Sequence, residues 1–389
     1  MTRVYADHAA TTRPAPEVVD AMLPWWGERA ANASSVHGRG EAARDAIEGA
    51  RLEVARLLGA QTEEVLFTAT GSESNNLALV GAMRAATGRR RLVTTAIEHA
   101  SVLECARALE AEGFALTVLP VRPNGAVDPE VLADSLGDDV ALVSVMAVNN
   151  ETGVIQPLAE IGTFVKQAGA LFHVDAVQSP GRLAIPVDEW QADLVSIAAH
   201  KFHGPQGAAA LFVRRRTRLE PLVRGGAHER GLRAGTENVA AIVGMGVAAT
   251  RARQALASGE PERVAELGDR LLGTLLSRVS DTQLNGDLTR RVGGTVNLCF
   301  LGVDGEAVLH ELDREGIEVS TGSACSHALA GPSHVLLAMG RTPDEAHASV
   351  RFSLGATNTE DEVDRIGEVV PQVVKRLRAL GGPTLERTA

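Results

Sequence analysis

The 389-residue chain is poor in aromatics, at 3%, so its core has to be built from Ala, Val, Leu and Ile. It has only three cysteines, Cys105, Cys299 and Cys325, far apart and with no C-x-x-C pair. That excludes a disulfide framework and a zinc ribbon, fits a reducing cytoplasmic compartment, and leaves no metal to expect. No long hydrophobic run is present: the longest uncharged apolar stretch, residues 239–249, falls short of the ~18 residues a membrane span needs. The N-terminal M-T-R-V-Y-A-D-H has no apolar signal region. Basic charge is also lacking, with 38 Lys and Arg against 49 Asp and Glu and a net charge of -11. Broad electrostatic contact with nucleic acid or an anionic membrane is therefore not expected. The one local basic cluster, Arg214 to Arg216 with Arg218, reads as a solvated strand end.

What is present is alternation. Short Val/Leu-rich runs at 65–67, 92–95, 116–119, 140–148, 171–174, 194–199 and 208–213 are separated by helical patterns. The helix over 41–58 carries Ala43, Ile47, Ala50, Val54 and Leu58 at helical spacing and ends at Gly59. Such alternation predicts an α/β fold with a mainly parallel sheet covered on both faces. Gly259-Glu260-Pro261 is the best domain boundary. Residues 13–259 are expected to form the large domain. Residues 1–12 and 260–389 are expected to form a smaller α+β domain.

Polar residues collect where open α/β sheets bind ligands. His99, Asn150, Asp175 and Lys201 each follow the C-terminal end of a predicted strand. Lys201, in S-I-A-A-H-K-F-H-G-P-Q-G, is a solvated lysine or a desolvated nucleophilic amine of the Schiff-base kind. Asp175 is a helix N-cap or the ion partner of a ligand cation. His99 is a helix-terminal histidine or a neutral ring stacked on a ligand. T-A-T-G-S-E, between a strand and a helix, offers free N–H groups to an anion, though capped loops look the same. Cys105 and Cys299 sit in periodic apolar elements and read as core. Cys325, in S-T-G-S-A-C-S-H-A-L-A-G-P-S, has no apolar packing beside it and reads as reactive. Arg351, in V-R-F-S-L-G, is an exposed-face arginine or a buried one that needs an anion.

These stretches occur in the order of a known family. A-D-H-A-A-T-T, N-A-S-S-V-H-G, F-T-A-T-G-S-E-S-N-N, E-H-A-S-V-L, V-N-N-E-T-G-V, H-V-D-A-V-Q-S-P-G, A-H-K-F-H-G-P-Q-G, G-G-A-H-E-R-G-L-R-A-G-T, S-T-G-S-A-C-S-H-A and R-F-S-L-G span nearly the whole chain. The chain resembles the cysteine desulfurases of the NifS/IscS type, class V, fold type I pyridoxal-phosphate enzymes. The resemblance implies pyridoxal 5'-phosphate carried on Lys201, with His99 against its ring and as a proton carrier. Asp175 would pair with the pyridine nitrogen and Gln178 with the ring oxygen. Gly71, Ser72 and His200 would hold the phosphate, and Thr236 would reach the phosphate of a neighbouring subunit, so a homodimer is expected. Asn150 and Arg351 would grip the carboxylate of L-cysteine, and Cys325 would take its sulfur as a persulfide on a long segment that travels to an acceptor.

The expected products are L-alanine and sulfur handed to a protein acceptor, for iron–sulfur assembly, tRNA thiolation, DNA phosphorothioation or other thio-cofactors. Two departures stand out. Ala198 replaces a phosphate-binding serine, and N-A-S-S replaces N-P-S-S. Rival readings are another class V aminotransferase, a selenocysteine lyase, or a non-catalytic partner-binding protein on the same fold.

Overall fold

The computed structural model describes residues 3–321 and 331–380. Its strands in chain order are β1 Val4–Tyr5, β2 Val65–Thr68, β3 Arg91–Thr95, β4 Ala115–Leu119, β5 Val140–Met146, β6 Leu171–Asp175, β7 Leu194–Ala198, β8 Ala209–Val213, β9 Thr282–Leu284, β10 Thr295–Phe300, β11 Ile317–Glu318 and β12 Ser349–Ser353. Seven of them form one sheet in the order β2-β8-β7-β6-β5-β3-β4. β8 pairs antiparallel with both neighbours, and the other pairs in the sheet are parallel. The architecture is the α/β one expected.

The strands read as continuous apolar runs because both faces are covered: every residue of β5, β7 and β8 is buried. On one side the helix Gly38–Leu58 buries the five predicted positions, is capped by the His37 ring and ends at a left-handed Gly59. It packs closely on the helix Val239–Ser258. A Cβ at Gly246 would sit 2.7 Å from the Ala50 Cα, so glycine is what permits that approach. With so few aromatics, small residues set the interhelical distance.

A second core joins Val4 and Ala6 to residues of the helices Glu260–Arg278 and Glu360–Leu380 and of β10 and β12. There β12-β10-β9 form an antiparallel sheet, β1 pairs parallel with β11, and Asp7 bridges to Ser353. Gly259, at φ 76, separates the helix ending at Ser258 from the one starting at Glu260.

Among the described residues, one strand and one α-helix were not anticipated, besides the short 3-10 turns at Thr62–Glu64, Ala199–Lys201 and His228–Gly231. β9 is three half-buried residues paired on one side, too short to show alternation. The helix Pro343–His347 has five residues. Helices also start earlier than periodicity suggests, at Gly38 and Gly71, because their first turns are polar.

Candidate active site

The parallel strands end at a cavity of about 350 Å³. Gly71, Ser72, His99, Asn150, Asp175, Gln178, His200, Lys201 and Arg351 all line it. Thr236 is exposed and does not line it, and Cys325 lies outside the described residues.

Asp175 is the last residue of β6 and is buried. Turns follow it, not a helix, so it caps nothing helical. Its Oδ1 accepts from the Val177 N–H at 3.0 Å, and its Oδ2 accepts from Asn75 Nδ2 at 2.7 Å. Asn75 Oδ1 is buried with no partner among the described residues. One of these two bonds therefore comes from neighbouring backbone and the other from the helix Gly71–Ala85, whose inner face runs along the sheet.

That helix begins at the cavity. Thr70 Oγ1 accepts from the Glu73 N–H, which leaves Gly71 and Ser72 N–H groups without intrahelical acceptors. A Cβ at Gly71 would lie 3.0 Å from Val177 Cγ2 and 3.4 Å from Ala198 Cβ, so glycine keeps this helix end close to the sheet. The arrangement suits a phosphate.

Opposite lies the helix Ala100–Ala111, with His99 as its N-cap: His99 Nδ1 accepts from the Ser101 N–H at 3.1 Å and meets Ser101 Oγ at 2.8 Å. The helix-terminal reading of His99 holds, and the capping residue also lines the cavity. His200 Nδ1 lies 3.2 Å from Thr11 Oγ1. Burial, with Lys201 adding to it, holds the His200 ring down to about 4, so it is neutral at pH 7.

Lys201 ends a short turn directly after β7. Its Nζ donates to the carbonyls of Ala9 at 2.6 Å and Ala10 at 2.7 Å. Gln178 Nε2 donates to the same Ala9 carbonyl, while its Oε1 accepts from Arg182. The segment Asp7–Thr12 is thus a strap laid across the lysine, and Thr12 N–H and Oγ1 both bond the His200 carbonyl.

Arg351 is buried, and the anion it needs is Asp7, with Nη2 to Oδ1 at 2.7 Å. Asn149 Oδ1 accepts from Glu151 N, Thr152 N and Thr152 Oγ1, shaping the turn that presents Asn150 and Glu151 to the cavity. Burial raises the Glu151 carboxyl, whose Oε2 accepts from Ser333 Oγ at 2.5 Å. Sequence reading missed Asn75, Glu151 and Asp7. Each lay inside a stretch already singled out; Glu151 is next to Asn150 and Asn75 is three residues after Ser72, whereas no residue of A-D-H-A-A-T-T was chosen. Cys105 and Cys299 are both buried, as expected of core cysteines.

The "Aminotransferase class-V" family model matches residues 4–366. The chain belongs to the class V aminotransferase family. Among class V relatives, the cysteine desulfurase IscS of Dictyoglomus turgidum is 43% identical over 378 residues, 97% of this chain and 96% of its own length. A solved NifS-like protein matches with a TM-score of 0.91 at 35% identity, over 97% of this chain and 100% of that one. A structure of SspA in complex with cysteine matches at 0.80 and 34%, covering 92% and 100%. Like other class V enzymes, the chain uses pyridoxal phosphate, and the cavity fits it: an amine, a buried carboxylate, an imidazole and an open helix N-terminus face one space. No helix among the described residues is long and apolar enough to cross a membrane.

Proposed function

We propose that this cavity is the active site of a cysteine desulfurase that takes L-cysteine to L-alanine and places the sulfur on Cys325. The observation that carries the reading is the convergence on one cavity of Lys201, Asp175, His99 and Asn150, which follow or end separate strands of the large sheet, with Arg351 from the middle of β12. Residues 13–259 act as the cofactor-binding domain, with 1–12 and 260–389 as the smaller one.

Bound pyridoxal phosphate supplies an electron sink for the charge left when the substrate Cα loses its proton. Lys201, fixed at the end of the turn after β7, would hold the cofactor through its amine and would be the base that takes that proton. Asp175, held by Asn75 and the Val177 N–H, keeps a positive charge at the ring nitrogen. Gln178 serves the ring oxygen. Gly71, Ser72 and the neutral His200 serve the phosphate. His99, oriented through Nδ1 by Ser101, lies against the ring and carries protons. Arg351 and Asn150 orient the substrate by its carboxylate. The Cys325 thiolate then attacks the substrate sulfur: the new S–S bond forms as the substrate C–S bond breaks, and the carbon fragment takes up protons to leave as alanine. A thiolate of a protein acceptor then attacks the outer sulfur of the persulfide, and the Cys325 thiolate leaves as the S–S bond to it breaks. The exposed Thr236 serves a second subunit's phosphate in a homodimer, and the enzyme works in the cytoplasm.

The test separates the two halves of the chemistry. Cys325→Ser should bind L-cysteine and shift the cofactor spectrum yet release no alanine on turnover. Lys201→Ala should lose covalent cofactor attachment. Normal turnover in Cys325→Ser would remove Cys325 as the nucleophile.

A further inference from the structure

Arg351 is held with the donor pattern of an unfinished site. Its Nη1 donates to the main-chain carbonyl of Asn150 at 2.9 Å, and its Nη2 to Asp7 Oδ1 at 2.7 Å. Its Nε is buried and has no partner among the described residues. A guanidinium meets a carboxylate best along the edge made by Nε–H and the adjacent Nη2–H, which run parallel. On Arg351 that edge is half taken by Asp7 and half unpaired. The Arg351 side chain is 3% exposed, whereas the Asp7 side chain is 20% exposed. The cation is fixed, and its counter-ion sits at the open side.

We propose that Asp7 stands in for the substrate carboxylate. It neutralises Arg351 while no amino acid is bound, and it gives way when an α-carboxylate arrives that satisfies both Nε and Nη2. This rests on the reading of Arg351 as the carboxylate anchor. The reason is electrostatic. A buried arginine stripped of any anion is strongly disfavoured, so a site that must be empty between turnovers needs a substitute anion. The substitute also sets specificity: a ligand with an amine but no carboxylate cannot displace Asp7 from the Nε–Nη2 edge. Asp7 lies two and three residues before the carbonyls that hold Lys201, so one strap bears the counter-ion and the lysine's acceptors.

The test uses the holoenzyme with two probes, L-alanine and ethylamine, which differ by the carboxylate alone. Asp7→Asn keeps side-chain size and every main-chain bond of the strap; Asp7→Ser is the second variant and carries the same expectation. Each should bind L-alanine about tenfold tighter than wild type, with ethylamine unchanged. The resting Tm should fall, while the rise in Tm on adding L-alanine should exceed that of wild type; a merely structural role would lower stability and affinity together. Equal or weaker L-alanine binding in the variants, or equal tightening of ethylamine, overturns the inference. Arg351→Gln separates the two readings. If L-alanine binding survives it, the anchor reading fails; if it abolishes binding while Asp7→Asn changes nothing, the stand-in alone fails.

Discussion

Asn75 Nδ2 donates to Asp175 Oδ2 across 2.7 Å, linking the first turns of the helix Gly71–Ala85 to the end of β6. One helix thus shapes both the phosphate end of the cavity, through Gly71 and Ser72, and the carboxylate at the other end. A hydrogen bond to a charged group contributes about 1.5–3 kcal/mol. Asn75→Ala is therefore expected to weaken pyridoxal-phosphate binding by roughly 10- to 100-fold. The dissociation constant of the apoenzyme for the cofactor measures it, and an unchanged value would show that Asp175 is held well enough by the Val177 N–H alone.

Ala198 offers the opposite experiment. It ends β7 at 1% exposure and lines the cavity at the position where the family resemblance implies a phosphate-binding serine. Ala198→Ser adds a hydroxyl beside the Gly71 helix end, and one neutral hydrogen bond is worth about 0.5–1.5 kcal/mol. Cofactor binding should tighten by roughly two- to tenfold, read by the same titration. Weaker binding would mean that the close approach at Gly71 has no room for the added oxygen.

How much of this was legible follows from how far apart the partners are in the chain. The α/β pattern showed because each buried strand is a local apolar run, and the strand-end residues showed because the runs stop at them. Asn75, Asp7 and Glu151 did not. Each is defined by a partner 100 to 344 residues away, Asp175, Arg351 or Ser333, and no local pattern marks such a pair. β9 was hidden by its length. The helix Pro343–His347 was legible in principle, since T-P-D-E is a capping box and Thr342 and Glu345 do bond reciprocally.

His173 predicts a pH dependence. It sits between Ser144 Oγ at 2.8 Å and Ser196 Oγ at 3.0 Å, in the layer of the sheet one pleat before Asp175. Burial pushes its pKa down to about 3, against an ordinary value of 6.5. Below pH 6.5 the unfolded chain binds this proton and the folded chain does not, so stability is complete above pH 6.5 and is lost as pH falls toward 3. Burial holds His8 at about 3 as well, with the same sign. His173→Asn, which cannot titrate, should lose less Tm than wild type between pH 7.5 and pH 4.5. Identical slopes would place the acid sensitivity elsewhere.

The Arg51–Glu229 pair anchors the loop that carries Thr236. Arg51 Nη1 and Nη2 each reach a Glu229 oxygen at 2.8 Å, both side chains are buried, and Glu229 Oε2 also accepts from the Phe67 N–H. Glu229 and Arg230 adopt left-handed backbone, at φ 44 and φ 58, which costs a non-glycine residue about 1–3 kcal/mol each. Something has to hold them there, and the buried pair is placed to do so. Arg233, further along the loop, bonds Glu73 in the first turn of the phosphate-site helix. Removing one partner of a buried pair costs about 3–5 kcal/mol, so Glu229→Gln should lower the Tm by roughly 4–6 °C. Replacing both partners with apolar residues, Arg51→Met with Glu229→Leu, should restore most of that loss, because two desolvated charges disappear together. It should not restore the loop, since the bonds to Phe67 N–H and to the Val65 carbonyl go with the charges. The double variant is therefore expected to be stable yet to hold pyridoxal phosphate, and a second copy of the chain in the proposed homodimer, less well than wild type. If both return to wild-type values along with the Tm, the pair serves stability alone and the left-handed turn is held by the rest of the loop.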